Sequence, residues 1–359
     1  MEKEQSKFTI LMFPWLAYSH VLPFLELSKR LSKRNFHIYF CSSSANLNSI
    51  KNNVQKTYQF HTTKNIPQNL FPILLKAFQM STSSFSEILS NLKPDLLVYF
   101  FSQPWAPKLA SSQGIPSVYF ATSGATAFSF YYHMYIYGSS PAFPYQEICL
   151  LDHEKVDVGA PIEPMVKEAE EDFAFGNFRL SSGITFLSNE QILEIAKGLQ
   201  LCETNFIWVV KSSTVRIEEA LLEGFLGRVK ERGLVLKQWA PQAKILSHSS
   251  VGGFVSHCGW SSILESINYG VPIIALPMKF DQPISAQLVV EVGVGVEVER
   301  GENGQFCGEE VAKAINMVLM GKNGKDMRLR IRDLRKKMKE EGEKRVSEVV
   351  KELSLLCDK

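Results

Sequence analysis

The sequence has no Cys-x-x-Cys pair and no run of His, Cys, Asp and Glu at metal-ligand spacing. Its six cysteines (Cys41, Cys149, Cys202, Cys258, Cys307 and Cys357) are scattered, which argues for free thiols in a reducing compartment and against a disulfide framework. An excess of charge is lacking too. Lys and Arg number 39 against 37 Asp and Glu, a net charge of +2, so the composition offers nothing to a nucleic-acid partner. The first apolar run is broken by Pro14, and neither a secretory signal nor a membrane span is evident. These absences predict a cytoplasmic protein without stable membrane insertion. No G-x-G-x-x-G turn follows the first strand-like run, which counts against a dinucleotide-dependent dehydrogenase.

What is present is an ordinary globular composition, 45% hydrophobic and 21% charged over 359 residues, long enough for two domains. Phe8 to Phe13 and His37 to Ser42 are apolar runs flanking a helical pattern at Leu22, Leu25 and Leu31, a βαβ opening. His20 falls between the first strand and that helix, so it is expected in a loop at the strand's carboxyl end, where open α/β sheets bind ligands. Leu96 to Phe101 and Ile115 to Thr122 read as further strands, and Leu70 to Leu92 reads as helix. Asn52 to Gln68 and the acidic, Pro-containing Asp152 to Asp172 read as loop and linker. Tyr137 to Pro144, rich in Pro, Gly, Ser and aromatics, reads as a loop, either lining an apolar acceptor pocket or packed on the surface. The second half repeats the alternation from the helix NEQILEIAKGL and the strand NFIWVV onward.

The most informative stretch runs from Trp239 to Gln282. Gly252 to His257 reads as a buried strand that ends in His-Cys-Gly. A helix is expected to start at Ser261 or Ser262, with Glu265 in its first turn. Its N-terminal N–H groups would face the loop carrying His257 and would suit a phosphate. Ile273 to Pro277 reads as a second strand, with Asp281 and Gln282 just past its end. Glu265 could accept hydrogen bonds from vicinal hydroxyls, Asp281 and Gln282 could hold a hexose, and Trp239 offers a flat face to a base. Taken singly, each residue has an ordinary structural explanation; their combination describes a nucleotide-sugar site.

This stretch resembles the signature box of plant family 1 UDP-sugar glycosyltransferases: Trp239-Ala-Pro-Gln242, His257-Cys-Gly259-Trp260-Ser261-Ser262, Glu265, Gly270-Val-Pro and Asp281-Gln282. The resemblance implies two facing Rossmann-like α/β domains, the GT-B arrangement. It implies residues 1–172 for the acceptor, 173–335 for the UDP-sugar, and 336–359 as a helix packing back on the first domain. Trp239 would stack on uracil, with Gln242 beside base and ribose and Glu265 on the ribose. His257 and Ser262 would serve the diphosphate, with a further phosphate contact at Ser261. Trp260, Asp281 and Gln282 would face the sugar, and Gly259 would belong to the same donor site. The loop motif around His20 is similar to the one in which the family's histidine is the general base. Imidazole suits that role, with an unperturbed pKa of ~6.5. The activity implied is inverting transfer of glucose from UDP-glucose to a hydroxyl of a plant secondary metabolite, such as a flavonoid or terpenoid glycoside. No cofactor and no metal are expected.

Three departures from the family pattern stand out. Ser261 replaces the usual Asn. Phe100 occupies the place of the Asp that partners the catalytic His, while Asp95 lies at the strand's opposite end and Ser102 is a candidate on spacing alone. Between Phe173 and Gln191 the strand that should open the donor domain is missing, with Ser182-Gly183 a remnant of its turn, and the chain reads as shortened by internal deletions. An alternative therefore stands beside the transferase: an impaired product that binds UDP-sugar without transferring it.

Overall fold

The computed structural model describes residues 8–44, 46–47, 77–100, 103, 105–137, 142–151, 154, 187–210, 224–236, 240–279, 281–301 and 304–358. The expected loop at 52–68, the start of the helix at 70–76, most of the 152–172 linker, residues 138–141 and Ser182-Gly183 lie outside them, as does the expected domain boundary at 172–173.

The first half alternates β1 (Phe8–Phe13), α1 (Tyr18–Ser32), β2 (Phe36–Phe40), α2 (Thr82–Leu92), β3 (Leu96–Tyr99), α3 (Trp105–Ser112), β4 (Ser117–Tyr119) and α4 (Ala125–Tyr137). The strands form one parallel sheet in the order β2-β1-β3-β4. A parallel sheet covered on both faces needs strands that are apolar at every position. β1 meets that demand: Ile10 and Met12 pack on one face with Leu96, Val98 and Phe100, while Leu11 and Phe13 pack on the other with Leu97. Asp95 accepts from the Thr9 N–H at 2.6 Å, at the amino end of the sheet, so it is far from the carboxyl-end loops as the sequence indicated.

The second half runs α5 (Asn189–Leu201), β5 (Phe206–Val209), α6 (Phe225–Arg228), β6 (Gly233–Leu236), α7 (Gln242–Leu246), β7 (Phe254–Ser256), α8 (Trp260–Tyr269), β8 (Ile273–Ala275), α9 (Gln282–Glu291), β9 (Gly295–Glu297), α10 (Gly308–Leu319) and α11 (Gly321–Cys357). A capping box starts α5: the Ser188 hydroxyl accepts from the Gln191 N–H, and the Gln191 side chain accepts from the Ser188 N–H. Among the described residues, these strands form two separate parallel sheets, β5-β6 and β7-β8-β9. Among the described residues β5 pairs on one edge only, and so does β7. Apolar side chains stay open to solvent on both, Ile207 at 48% and Val255 at 40%.

Two features join the halves. The 37-residue α11 buries Met327 and Ile331 in cores of the second half and Leu353 among Phe8, Ile10 and Phe24 of the first. At about 1.5 Å per residue it is long enough to reach both, and it passes residue 336 without a break. Ion pairs from Arg30 and Arg34 to Glu343 lie at the surface, where such pairs add little. On the other side, Ile284 of α9 packs with Ala127, Phe130 and Tyr131 of α4, and the Gln287 amide accepts from the Cys149 N–H and donates to the Cys149 carbonyl.

A candidate nucleotide-sugar and acceptor site between the halves

The carboxyl ends of both sets of strands face one cavity of about 1530 Å³. Ser19, His20, Phe100, Thr122 and Ser123 line it from the first half. Gln242, His257, Gly259, Trp260, Ser261, Ser262, Asp281 and Gln282 line it from the second. A typical small-ligand pocket holds roughly 300–1000 Å³. Here the cavity also extends between β5 and β7, along Phe206, Trp208 and Phe254, and reaches Ile315 of α10.

The turn after β7 is set by backbone geometry. Cys258 takes a left-handed conformation at φ 62°, and its N–H donates to Ser256 Oγ at 3.1 Å. Burial pushes the Cys258 thiol well above its usual range, so it is a neutral packing group and not a nucleophile. The helix starts one turn-position earlier than the serines suggest. Gly259 is the N-cap and Trp260 the first helical residue, so Ser261 and Ser262 lie inside the first turn and Glu265 in the second. Ser is a good cap, but here Gly259 in extended conformation fills that place. A Cβ on Gly259 would come within 2.5 Å of His257 Nε2, so the imidazole lies directly over the glycine at the helix N-terminus.

Gln242 Nε2 donates to Glu265 Oε2 at 2.9 Å. Glu265 does not line the cavity itself; Gln242 stands between. Gln282 is buried, and its amide oxygen accepts from the Met278 and Lys279 N–H groups at 2.9 and 3.0 Å, which leaves the Nε2 end to reach a ligand. Trp260 packs against the first half: a Cβ on Gly124 would sit 2.8 Å from its ring. Gly124→Val should therefore push the halves apart there. Overpacking of this kind costs about 1–3 kcal/mol of stability, so calorimetry is expected to show a lower melting temperature for the variant. Trp239 and Ser102 lie outside the described residues.

Asp281 sits at the N-cap of α9, and burial pushes its carboxyl up to about 6. A sugar hydroxyl donating to it would favour the ionised form. The sign follows: the empty site holds a proton below about pH 6 that donor binding expels. UDP-glucose affinity should fall as pH drops through 6, with proton release visible as a buffer-dependent calorimetric heat. The variant Asp281→Asn should abolish that release.

His20 is not in a loop. Ala17 caps α1, which makes His20 the third helical residue, and Pro23 lies inside the helix and not at its start. The imidazole is 4% exposed. Phe100, at 2%, meets it edge-on with centroids 4.3 Å apart, in the place where the sequence comparison expects a carboxylate. Thr122 Oγ1 lies 3.0 Å from His20 Nδ1. Burial lowers the imidazole to about 3, so it is neutral in the empty site. Reading along the sequence missed Thr122. The available signal was positional: it lies three residues past β4, at the same sheet end as His20.

The chain is similar to known proteins. A family model described as "UDP-glucoronosyl and UDP-glucosyl transferase" matches residues 53–339. The chain is 38% identical to a mogroside IIIx synthase of Siraitia grosvenorii, covering 97% of each. It is 34% identical to a cyanidin-3-O-glucoside 2-O-glucuronosyltransferase of Bellis perennis, covering 99% of this chain and 98% of that one. The first alignment runs over 441 residues, more than the 359 present here, so that relative carries internal segments this chain lacks. Among solved structures, Phytolacca americana UGT2, complexed with UDP-2fluoro-glucose and pterostilbene, superposes with a TM-score of 0.74. It is 24% identical and covers 98% of this chain and 100% of that one, a likeness of fold.

Proposed function

The chain belongs to the UDP-glucuronosyl and UDP-glucosyl transferase family, and from that premise we propose that it moves glucose from UDP-glucose to a hydroxyl of a plant glycoside, with inversion. Relatives in Siraitia, Gardenia and Bellis are named for mogroside, glucosyl crocetin and cyanidin glucoside chemistry, which supports a flavonoid or terpenoid glycoside as acceptor. The carrying observation is the shared cavity: His20 faces, across one space, the helix N-terminus of α8 and the Asp281-Gln282 pair.

The residues divide the work accordingly. Ser261, Ser262 and His257 hold the diphosphate at the start of α8, where the dipole favours negative charge. Gln242, braced by Glu265, holds the ribose end. Asp281 and Gln282 hold the sugar. His20 Nε2 takes the acceptor's hydroxyl proton as that oxygen bonds to the anomeric carbon. The bond from that carbon to the diphosphate oxygen breaks, and UDP leaves with the electron pair from the opposite face. No step uses a metal or a cofactor.

The space between β5 and β7 favours a second reading, a chain that binds UDP-sugar without transferring it, because strand edges unpaired among the described residues and open apolar faces weaken the donor half. UDP release from UDP-glucose, measured over a panel of flavonoid and terpenoid glucosides and their aglycones, separates the readings. The transferase reading predicts turnover with glucosides; calorimetric UDP binding without turnover supports the second.

A further inference from the structure

We infer that Thr122 positions the base, holding the His20 imidazole by a neutral hydroxyl where a carboxylate would otherwise act; the inference rests on the transferase reading above. Three observations converge on it. Thr122 Oγ1 lies 3.0 Å from His20 Nδ1, within hydrogen-bond reach. Phe100 packs against the same imidazole in a T-shaped contact, with centroids 4.3 Å apart, so both groups restrict the ring. Both His20 and Thr122 line the cavity that would hold donor and acceptor.

The chemistry of the pair differs from that of a His–carboxylate pair. Thr122 Oγ1 can accept from Nδ1–H or donate to a bare Nδ1. With its own proton given to a group in the cavity it accepts, which leaves the lone pair on Nε2, the form a base needs. It fixes orientation as a carboxylate does. It adds no negative charge, so it does not favour the imidazolium that forms when the acceptor proton arrives. Thr122 therefore supplies alignment without basicity, and burial leaves the resting imidazole neutral. The hydroxyl's own proton stays available to a group in the cavity.

The test uses the full chain with its histidines labelled with nitrogen-15, comparing wild type, Thr122→Val and Thr122→Ser. Calorimetric UDP binding establishes that each variant is folded. Wild type and Thr122→Ser should show His20 as one neutral tautomer, protonated at Nδ1, and Thr122→Val a mixture. This spectroscopic arm requires no turnover, so it stands or falls apart from the transferase reading. In the kinetic arm, misplacement of a reacting group costs up to about 100-fold. Thr122→Val should lower kcat by roughly 10–100-fold with the KM for UDP-glucose nearly unchanged, and Thr122→Ser should restore it. An unchanged tautomer in Thr122→Val overturns the proposal. So does a defect confined to the donor KM, which would make Thr122 a sugar contact.

Discussion

His20→Ala should leave UDP binding intact and remove sugar transfer. Loss of a positioned base costs about 100- to 10,000-fold in rate, and here no other imidazole borders the acceptor side of the cavity among the described residues. The substitution removes a buried ring that touches Phe100 and Thr122 and so costs some stability, but the residues proposed for the donor line the cavity from the second half. Calorimetric UDP binding is thus the control, and product formation is the readout. Turnover that persists in the folded variant would remove His20 from the mechanism.

Phe100→Asp should raise the catalytic rate and lower the stability. Phe100 is packed with Met12, Val98 and Leu353, and truncating such a buried phenylalanine costs about 3–5 kcal/mol. Phe100 already packs T-shaped on the imidazole, so a carboxylate there would lie close to His20 and favour the imidazolium. The imidazole would then move up from about 3 towards its ordinary range. A group depressed by burial adds stability above its unfolded pKa, lost as pH falls below ~6.5 towards the folded value. Relieving that depression shrinks the acid-sensitive window. The expected signature is a lower melting temperature, a higher kcat, and an acid limb of the rate profile shifted to higher pH. A folded variant with unchanged kcat would mean that the partner of His20 does not limit the reaction and that the split donor half does.

Much of this was legible from residue order, for physical reasons. Strands buried on both faces must be apolar throughout, so FTILMF and IIALP declare themselves without tertiary information. The Trp239 to Gln282 spacing carries its own chemistry, since strand ends and the following helix starts must converge in a parallel sheet. What stayed hidden depends on packing. The capping of α8 by Gly259, with His257 lying over it, is decided by close approach of an imidazole and not by the better capping propensity of the serines. α1 starts before Pro23, although proline usually marks a helix's first turn. Thr122 lies 102 residues from His20, and only the adjacency of β1, β3 and β4 brings the two together. The same holds for Gln242 and Glu265, each expected on the ribose, which first of all hold each other. The departure at Phe100 was visible in the sequence, but the hydroxyl at His20 Nδ1 was not.

The proposed reaction is transfer of glucose by a single displacement assisted by His20. The most direct test is the proton NMR spectrum of the product formed from UDP-glucose and a flavonoid glucoside acceptor, read at the new anomeric proton. Because UDP-glucose is an α-linked donor, in-line attack predicts a large diaxial coupling, the mark of a β-glucoside. A small coupling, or no new anomeric signal from a chain that binds UDP, would contradict it.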